Sequence, residues 1–100
     1  MDLLGKKHLE DLKGKHPDTR NPINAWIAEI EEANWETFQD IKNRYATVDH
    51  LGNGLHVFNI KGNKYRIAAK IYLDSSKTVL VKAAGTHEDY LNWKLGEMQT

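Results

Sequence analysis

The chain has 100 residues and a mass of 11.5 kDa, with 40% hydrophobic and 28% charged residues, a composition that excludes a disordered chain and suits a single domain over residues 1–100. No apolar run approaches the roughly 18 residues of a membrane span, Met1–Lys7 lacks the apolar stretch of a signal peptide, and the absence of cysteine excludes a disulfide framework, a thiolate nucleophile and a cysteine zinc site. The formal net charge is zero, yet residues 1–50 hold seven Lys/Arg against ten acids and residues 51–100 hold seven against four, so the halves carry −3 and +3.

The first half reads as helices. Leu3, Leu4, Leu9 and Leu12 form an apolar stripe that ends near Gly14, and Pro17 enforces a break at Lys15-His16-Pro17-Asp18. Asn21-Pro22 reads as an N-cap followed by proline at the first helical position. Trp26, Ile27, Ile30 and Ala33 then recur at helical spacing, with Glu29, Glu31 and Glu32 on the wet side. Thr37-x-x-Asp40 is a variant capping box that opens another helix, whose buried stripe is Phe38, Ile41 and Tyr45. Trp26 and Trp35 read as core anchors between helices rather than as base-stacking platforms.

After Ala46 the period changes to two. Thr47–Leu51 reads as a short strand before the turn Gly52-Asn53-Gly54, Leu55–Lys61 as a second strand and Gly62-Asn63 as a turn. Tyr65–Leu73 is the third strand, Asp74-Ser75-Ser76 a turn, and Lys77–Ala84 the fourth strand, ended by Gly85. Thr86-x-x-Asp89 caps a last short helix through Tyr90 to Trp93. The predicted class is α+β, with N-terminal helices packed on an antiparallel meander and a short C-terminal helix.

Strand alternation sorts the side chains. Phe58, Ile60, Ile67, Ile71, Val79 and Val81 are predicted to pack on the helices, with Val79, Val81 and Ala83 sharing a face. Asn59, Lys61, Arg66, Lys70 and Lys82 fall on the opposite face, a concentration of cations able to hold a phosphodiester. For each lysine taken alone, the plain alternative is a solvated strand surface. His56 reads as a half-buried strand residue, and His8, His16 and His50 show no metal-ligand spacing, so no metal or cofactor is expected. His87 follows Gly85-Thr86 at a strand-to-helix corner, where first-turn N–H groups attract anions and a neutral imidazole can exchange a proton.

The segments Phe58-Asn59-Ile60-Lys61-Gly62-Asn63-Lys64-Tyr65-Arg66-Ile67 and Gly85-Thr86-His87-Glu88-Asp89-Tyr90 resemble the HigB family of type II toxin–antitoxin toxins, within the RelE-like superfamily of mRNA interferases. Lys15-His16-Pro17-Asp18, the Trp26 helix, Trp35 and Phe38 match the same pattern in the same order, so the resemblance covers nearly the whole chain. It implies a RelE-like toxin fold and a cytoplasmic bacterial endoribonuclease that cuts mRNA on the ribosome without a metal ion. It also implies inhibition by a HigA-type helix-turn-helix antitoxin, which alone touches operator DNA. By the resemblance, Arg66 contacts the scissile phosphate, His87 protonates the leaving 5′-oxygen, and Lys61 or Lys70 assists the 2′-hydroxyl. Asn59, Lys64, Lys82 and Tyr90 are then RNA-binding, Tyr90 by stacking on or orienting a base, with packing of the last helix on the sheet as its equal alternative. Met1–Leu4 is short for the opening strand of such toxins and leaves that strand an open question. Lys82 stands where the family often has arginine, and a lysine lacks arginine's planar two-donor contact. The rival reading is a non-catalytic RNA- or partner-binding module with the same basic face.

Overall fold

The computed structural model describes residues 1–100. It contains β1 (Asp2–Leu4), α1 (Lys6–Lys15), α2 (Arg20–Glu32), α3 (Phe38–Arg44), β2 (Asp49–Gly52), β3 (Leu55–Ile60), β4 (Tyr65–Tyr72), β5 (Thr78–Thr86), α4 (His87–Leu91) and α5 (Leu95–Met98). One five-stranded sheet runs in the order β1-β5-β4-β3-β2. Strands β2 to β5 form the expected antiparallel meander, while β1 lies parallel to β5, so the α+β sheet is mixed.

The opening strand is present, and the helical reading of Leu3 and Leu4 is corrected. Leu3 is buried and Leu4 is exposed, the period of two that a strand imposes. Gly5 then turns the chain into α1 at φ +81, and a Cβ there would lie 2.5 Å from the carbonyl oxygen of Val81. Only glycine lets the backbone cross β5 so closely.

A single 3-10 turn, Pro17–Thr19, joins α1 to α2, and Thr19 is fully buried with its Oγ1 donating to the His16 carbonyl at 2.7 Å. The second helix therefore starts at Arg20, not after Asn21. Pro22 still sits in the first turn, where its missing N–H has no helical partner to lose. In α3 the capping box forms as read, Asp40 N donating to Thr37 Oγ1 at 3.2 Å and Thr37 N to Asp40 Oδ2 at 3.1 Å. Phe38, at the first helical position, is exposed rather than part of the buried stripe. Trp26 and Trp35 are buried, and Trp26 meets Phe58 edge-on at a centroid distance of 5.3 Å.

Phe58, Ile60, Ile67, Ile71, Val79 and Val81 all join the main core with Leu9, Leu12, Ile23, Trp26 and Ile30. The register of β5 shifts by one residue, because Ala69 pairs with Val81 while Ala68 pairs with Ala83. Lys82 is the extra residue of this bulge. Beyond it the faces exchange. Ala84, not Ala83, packs against the helix-side core, Ala83 turns to the opposite face, and the strand runs through Gly85 to Thr86.

The opposite face is not open along its length. Leu55, Val57 and Ala68 form a second, smaller core there, roofed by Tyr90, Trp93, Leu95 and Met98. The helix α5 that supplies part of this roof has no counterpart among the predicted elements. Gln99 ties it down, its Nε2 donating to Leu51 O at 2.7 Å and its carbonyl accepting from Lys70 Nζ at 2.8 Å.

His56 is fully buried, not half-buried. Its ring stacks on His50 at 4.4 Å, and its Nδ1 donates to Gly54 O at 2.8 Å. Burial, with the neighbouring His50 adding to it, lowers its pKa to about 4 from an ordinary 6.5. The unfolded chain thus takes up a proton that the folded one refuses. Stability from this group is complete above pH 6.5 and is lost as pH falls toward about 4. The thermal midpoint is expected to drop across that window, and His56→Gln, which can still donate to Gly54 O, is expected to flatten the slope. Equal slopes in the two proteins would show that His56 titrates alike folded and unfolded.

Candidate active site

The site is built on the turn between β3 and β4. Lys61 and Gly62 adopt left-handed backbone, φ 53 and 68, which matches a tight hairpin turn and explains glycine at the second position. The next two carbonyls point outward. Asn63 O accepts from Arg66 Nη1 at 2.7 Å, and Lys64 O accepts from the His87 backbone N–H at 3.0 Å. Sheet register completes the approach, since Asn59 pairs with Arg66 and Arg66 with Gly85, a row whose side chains share one face.

Gly85 stays small for a steric reason. A Cβ there would stand 2.7 Å from Asp89 Oδ2 and 2.8 Å from Asp89 Cβ. Asp89 needs that space to close the capping box of α4, with Thr86 N donating to its Oδ2 at 3.0 Å and Asp89 N donating to Thr86 Oγ1 at 3.0 Å. The Thr86 N–H holds the Asp89 carboxyl below its usual range. Two first-turn amides of α4, those of His87 and Asp89, are therefore engaged within the protein rather than free for an anion.

The outcome is an open groove lined by Asn63, Lys64, Arg66, Thr86, His87 and Glu88, without a hydrophobic residue. Tyr90 lies outside this lining, beside Arg66 and His87. The Arg66 guanidinium lies 5.3 Å from the Tyr90 ring centroid, and the His87 ring lies 6.1 Å from it. The structure thus gathers Arg66, His87, Lys64 and Tyr90, with Asn59 beside Arg66 in the sheet. Asn59 also donates to Thr47 O at 3.2 Å.

The remaining lysines lie elsewhere. Lys61 Nζ pairs with Asp18 at 3.1 Å, and Lys64 Nζ is 3.8 Å from the same carboxylate. The Tyr65 hydroxyl also donates to Asp18, and this bond followed by that of Lys61 lowers the Asp18 pKa. Lys70 is on the Arg66 face but four residues along β4, roughly 13 Å away at the rise of a strand. Between them lies the small core capped by Trp93 and Leu95, and Lys70 Nζ is bonded to Gln99 O. Lys82 is partly exposed at the bulge. Nowhere do three His, Cys, Asp or Glu side chains converge as a metal ion would require.

Sequence reasoning missed Asn63 and Asp18, one acting through its carbonyl and the other by pinning the turn from behind. Gly62-Asn63 marked the turn, but the use of a carbonyl leaves no trace in residue type. Glu88, the one carboxylate of the groove, carried no signal beyond its place next to His87.

Residues 19–93 match the family model described as HigB toxin, RelE-like toxic component of a toxin-antitoxin system. Over 92 residues the chain is 25% identical to the mRNA interferase toxin HigB of Escherichia coli K12, covering 90% of this chain and 88% of that protein. The mRNA interferases HigB of Escherichia coli O157:H7 and Shigella flexneri match equally, at 25% identity over the same 92 residues.

Gly85→Ala is expected to force Asp89 out of its cap and destabilise the protein by about 1 kcal/mol or more, the usual worth of an N-cap. Gly96→Ala, where a Cβ meets nothing within 4 Å, serves as the control and is expected to cost nothing. Urea unfolding of the two variants gives the comparison, and equal midpoints would show that the cap does not depend on Gly85.

Proposed function

The chain belongs to the HigB toxin family, the RelE-like toxic component of a toxin–antitoxin system, and from that premise we propose that it is an mRNA endoribonuclease whose groove at Arg66 and His87 cuts the phosphodiester. The observation that carries this reading is the meeting of these two side chains in one groove lined by polar residues, with the Arg66 head group held by Asn63 O and the His87 backbone amide by Lys64 O. The mRNA interferase names of the similar proteins support it. In this reading residues 1–100 form one toxin domain of the RelE-like fold.

Cleavage begins when the ribose 2′-oxygen attacks the adjacent phosphorus, and it ends when the 5′-oxygen leaves. One proton must go, another must arrive, and charge gathers on the phosphorane oxygens in between. Arg66 stabilises those oxygens, because its guanidinium offers a planar pair of donors to a phosphate. His87 donates the proton to the departing 5′-oxygen. The 2′-hydroxyl proton passes to water, and Lys64 in the groove and Lys61 behind it lower the cost of the resulting 2′-alkoxide electrostatically, with Lys61 damped by its pairing with Asp18. Lys70 and Lys82 lie farther out and serve the flanking RNA, and Asn59 borders Arg66. The scheme uses protein groups and water alone.

The proposed substrate is mRNA on the translating ribosome, in the cytoplasm. The proposed partner is a HigA-type helix-turn-helix antitoxin, through which alone the toxin reaches operator DNA. No helix of the structure is long and apolar enough to cross a membrane.

Purified toxin added to ribosomes translating a defined mRNA provides the test. Discrete cleavage products are expected, and Arg66→Ala should slow their formation on the order of 10²-fold or more while leaving unfolding unchanged. His87→Gln should bind RNA and antitoxin as the parent does, yet cut about 10²-fold more slowly. RNA retained without any products from the parent protein would instead favour the non-catalytic module. If His87→Gln keeps the parent's rate and pH profile, His87 is not the general acid.

A further inference from the structure

A phosphate-binding arginine is useful only if its guanidinium is held where the transition state will be. Arg66 extends from β4 on the partly exposed face of the sheet, and a single hydrogen bond, from Nη1 to Asn63 O at 2.7 Å, fixes one edge of its head group. One bond leaves the guanidinium plane free to rotate about it. The second restraint comes from Tyr90, whose ring centroid lies 5.3 Å from Arg66 Cζ. The Tyr90 ring is itself braced, because Trp93 meets it edge-on at 5.7 Å and an interplanar angle of 85°. Trp93 in turn packs on Leu55, Val57 and Ala68, the small core on the same face of the sheet. The sequence from core to Trp93, to Tyr90, to guanidinium is continuous, and each step is a ring contact.

We infer that Tyr90 and Trp93 are positioning residues that set the plane of the Arg66 guanidinium for the phosphate, rather than stacking platforms for an RNA base. This rests on the reading of Arg66 as the phosphate-stabilising residue. Two observations distinguish the role from stacking. The Tyr90 ring already has the cation near one side and the Trp93 edge against it, and Tyr90 is not among the residues that line the groove. The attraction is to the π-system, so a ring is required and the phenol hydroxyl is not. Nor does the Tyr90 hydroxyl make a hydrogen bond within the protein, whereas that of Tyr65 does.

The test uses Tyr90→Leu, Tyr90→Phe and Trp93→Leu, each alone and with Arg66→Ala, in single-turnover cleavage of an mRNA on translating ribosomes. Tyr90→Leu should lower kcat about tenfold with KM unchanged, since a misplaced donor is lost from the transition state and not from binding. Trp93→Leu should give the same pattern, and Tyr90→Phe should restore most of the rate. In the Arg66→Ala background Tyr90→Leu should have no further effect, because its partner is gone. A loss of equal size in both backgrounds, or one confined to KM, would mean that Tyr90 touches RNA itself and would overturn the inference. A Tyr90→Phe as slow as Tyr90→Leu would assign the work to the hydroxyl and overturn it equally. The Arg66 side-chain Nε–H resonance supplies a readout independent of activity: the Tyr90 ring should displace it upfield, Tyr90→Phe should preserve the shift and Tyr90→Leu abolish it. If Arg66→Ala cut at the parent rate, the phosphate reading would fall by itself. The resonance would still decide the brace, which a shift unchanged by Tyr90→Leu would refute.

Discussion

The groove exists because two neighbouring carbonyls on one turn face the same way. Asn63 O holds the head of Arg66 and Lys64 O holds the amide at the start of α4. A chain that made the turn differently would separate the two side chains on which the proposed chemistry depends. The turn is therefore constrained from both sides. Left-handed backbone at Lys61 and Gly62 sets its shape, and Asp18 pins it from the helical layer through Tyr65 and Lys61. A break between helices, enforced by Pro17, thus contributes to geometry on the other side of the sheet. Such a turn gains little from its own contacts. It is held instead by hydrogen bonds to neighbouring elements, made at the surface in competition with water.

Charge on the sheet is more local than composition suggests. Six cations fall between Leu55 and Lys82, but most are engaged. Lys61 and Lys64 share Asp18, Lys70 bonds to Gln99 O, and Lys77 bonds to Trp35 O and approaches Glu36. Arg66 meets a carbonyl and a ring rather than a carboxylate, so its full charge remains available in the groove. The proposed binding surface therefore centres on Arg66 rather than on the count of lysines.

Local chemistry was legible where it was decided locally. Both Thr-x-x-Asp boxes form, the apolar face of β4 is the one that alternation assigns, and the short turns give antiparallel neighbours. What escaped was decided by distant partners. Leu3 and Leu4 fit a helical stripe as well as a strand, and only pairing with Val79 and Leu80 makes them strand. A bulge at Lys82 leaves no mark in a pattern of small and branched residues, yet it exchanges Ala83 for Ala84 on the core. Helix α5 is held by the patch it covers, and four residues have almost no intrinsic tendency to be helical. Of the proposed site residues, Arg66 was singled out by motif and strand parity and His87 by motif and its corner position, and both line one groove. Lys70 was placed beside them by parity alone, which fixes a face but not a distance.

Strand β1 sets the order of assembly. Asp2, Leu3 and Leu4 find their partners only when Thr78, Val79 and Leu80 arrive, and His87 follows just behind them. On a ribosome synthesising the chain from its N-terminus, the first strand stays unpaired until residues 78–80 have been made. The edge of the sheet and the groove can then form only after residues 78–88 are made, through non-local contacts. Nascent chains stalled between Arg66 and His87 carry Arg66 without His87.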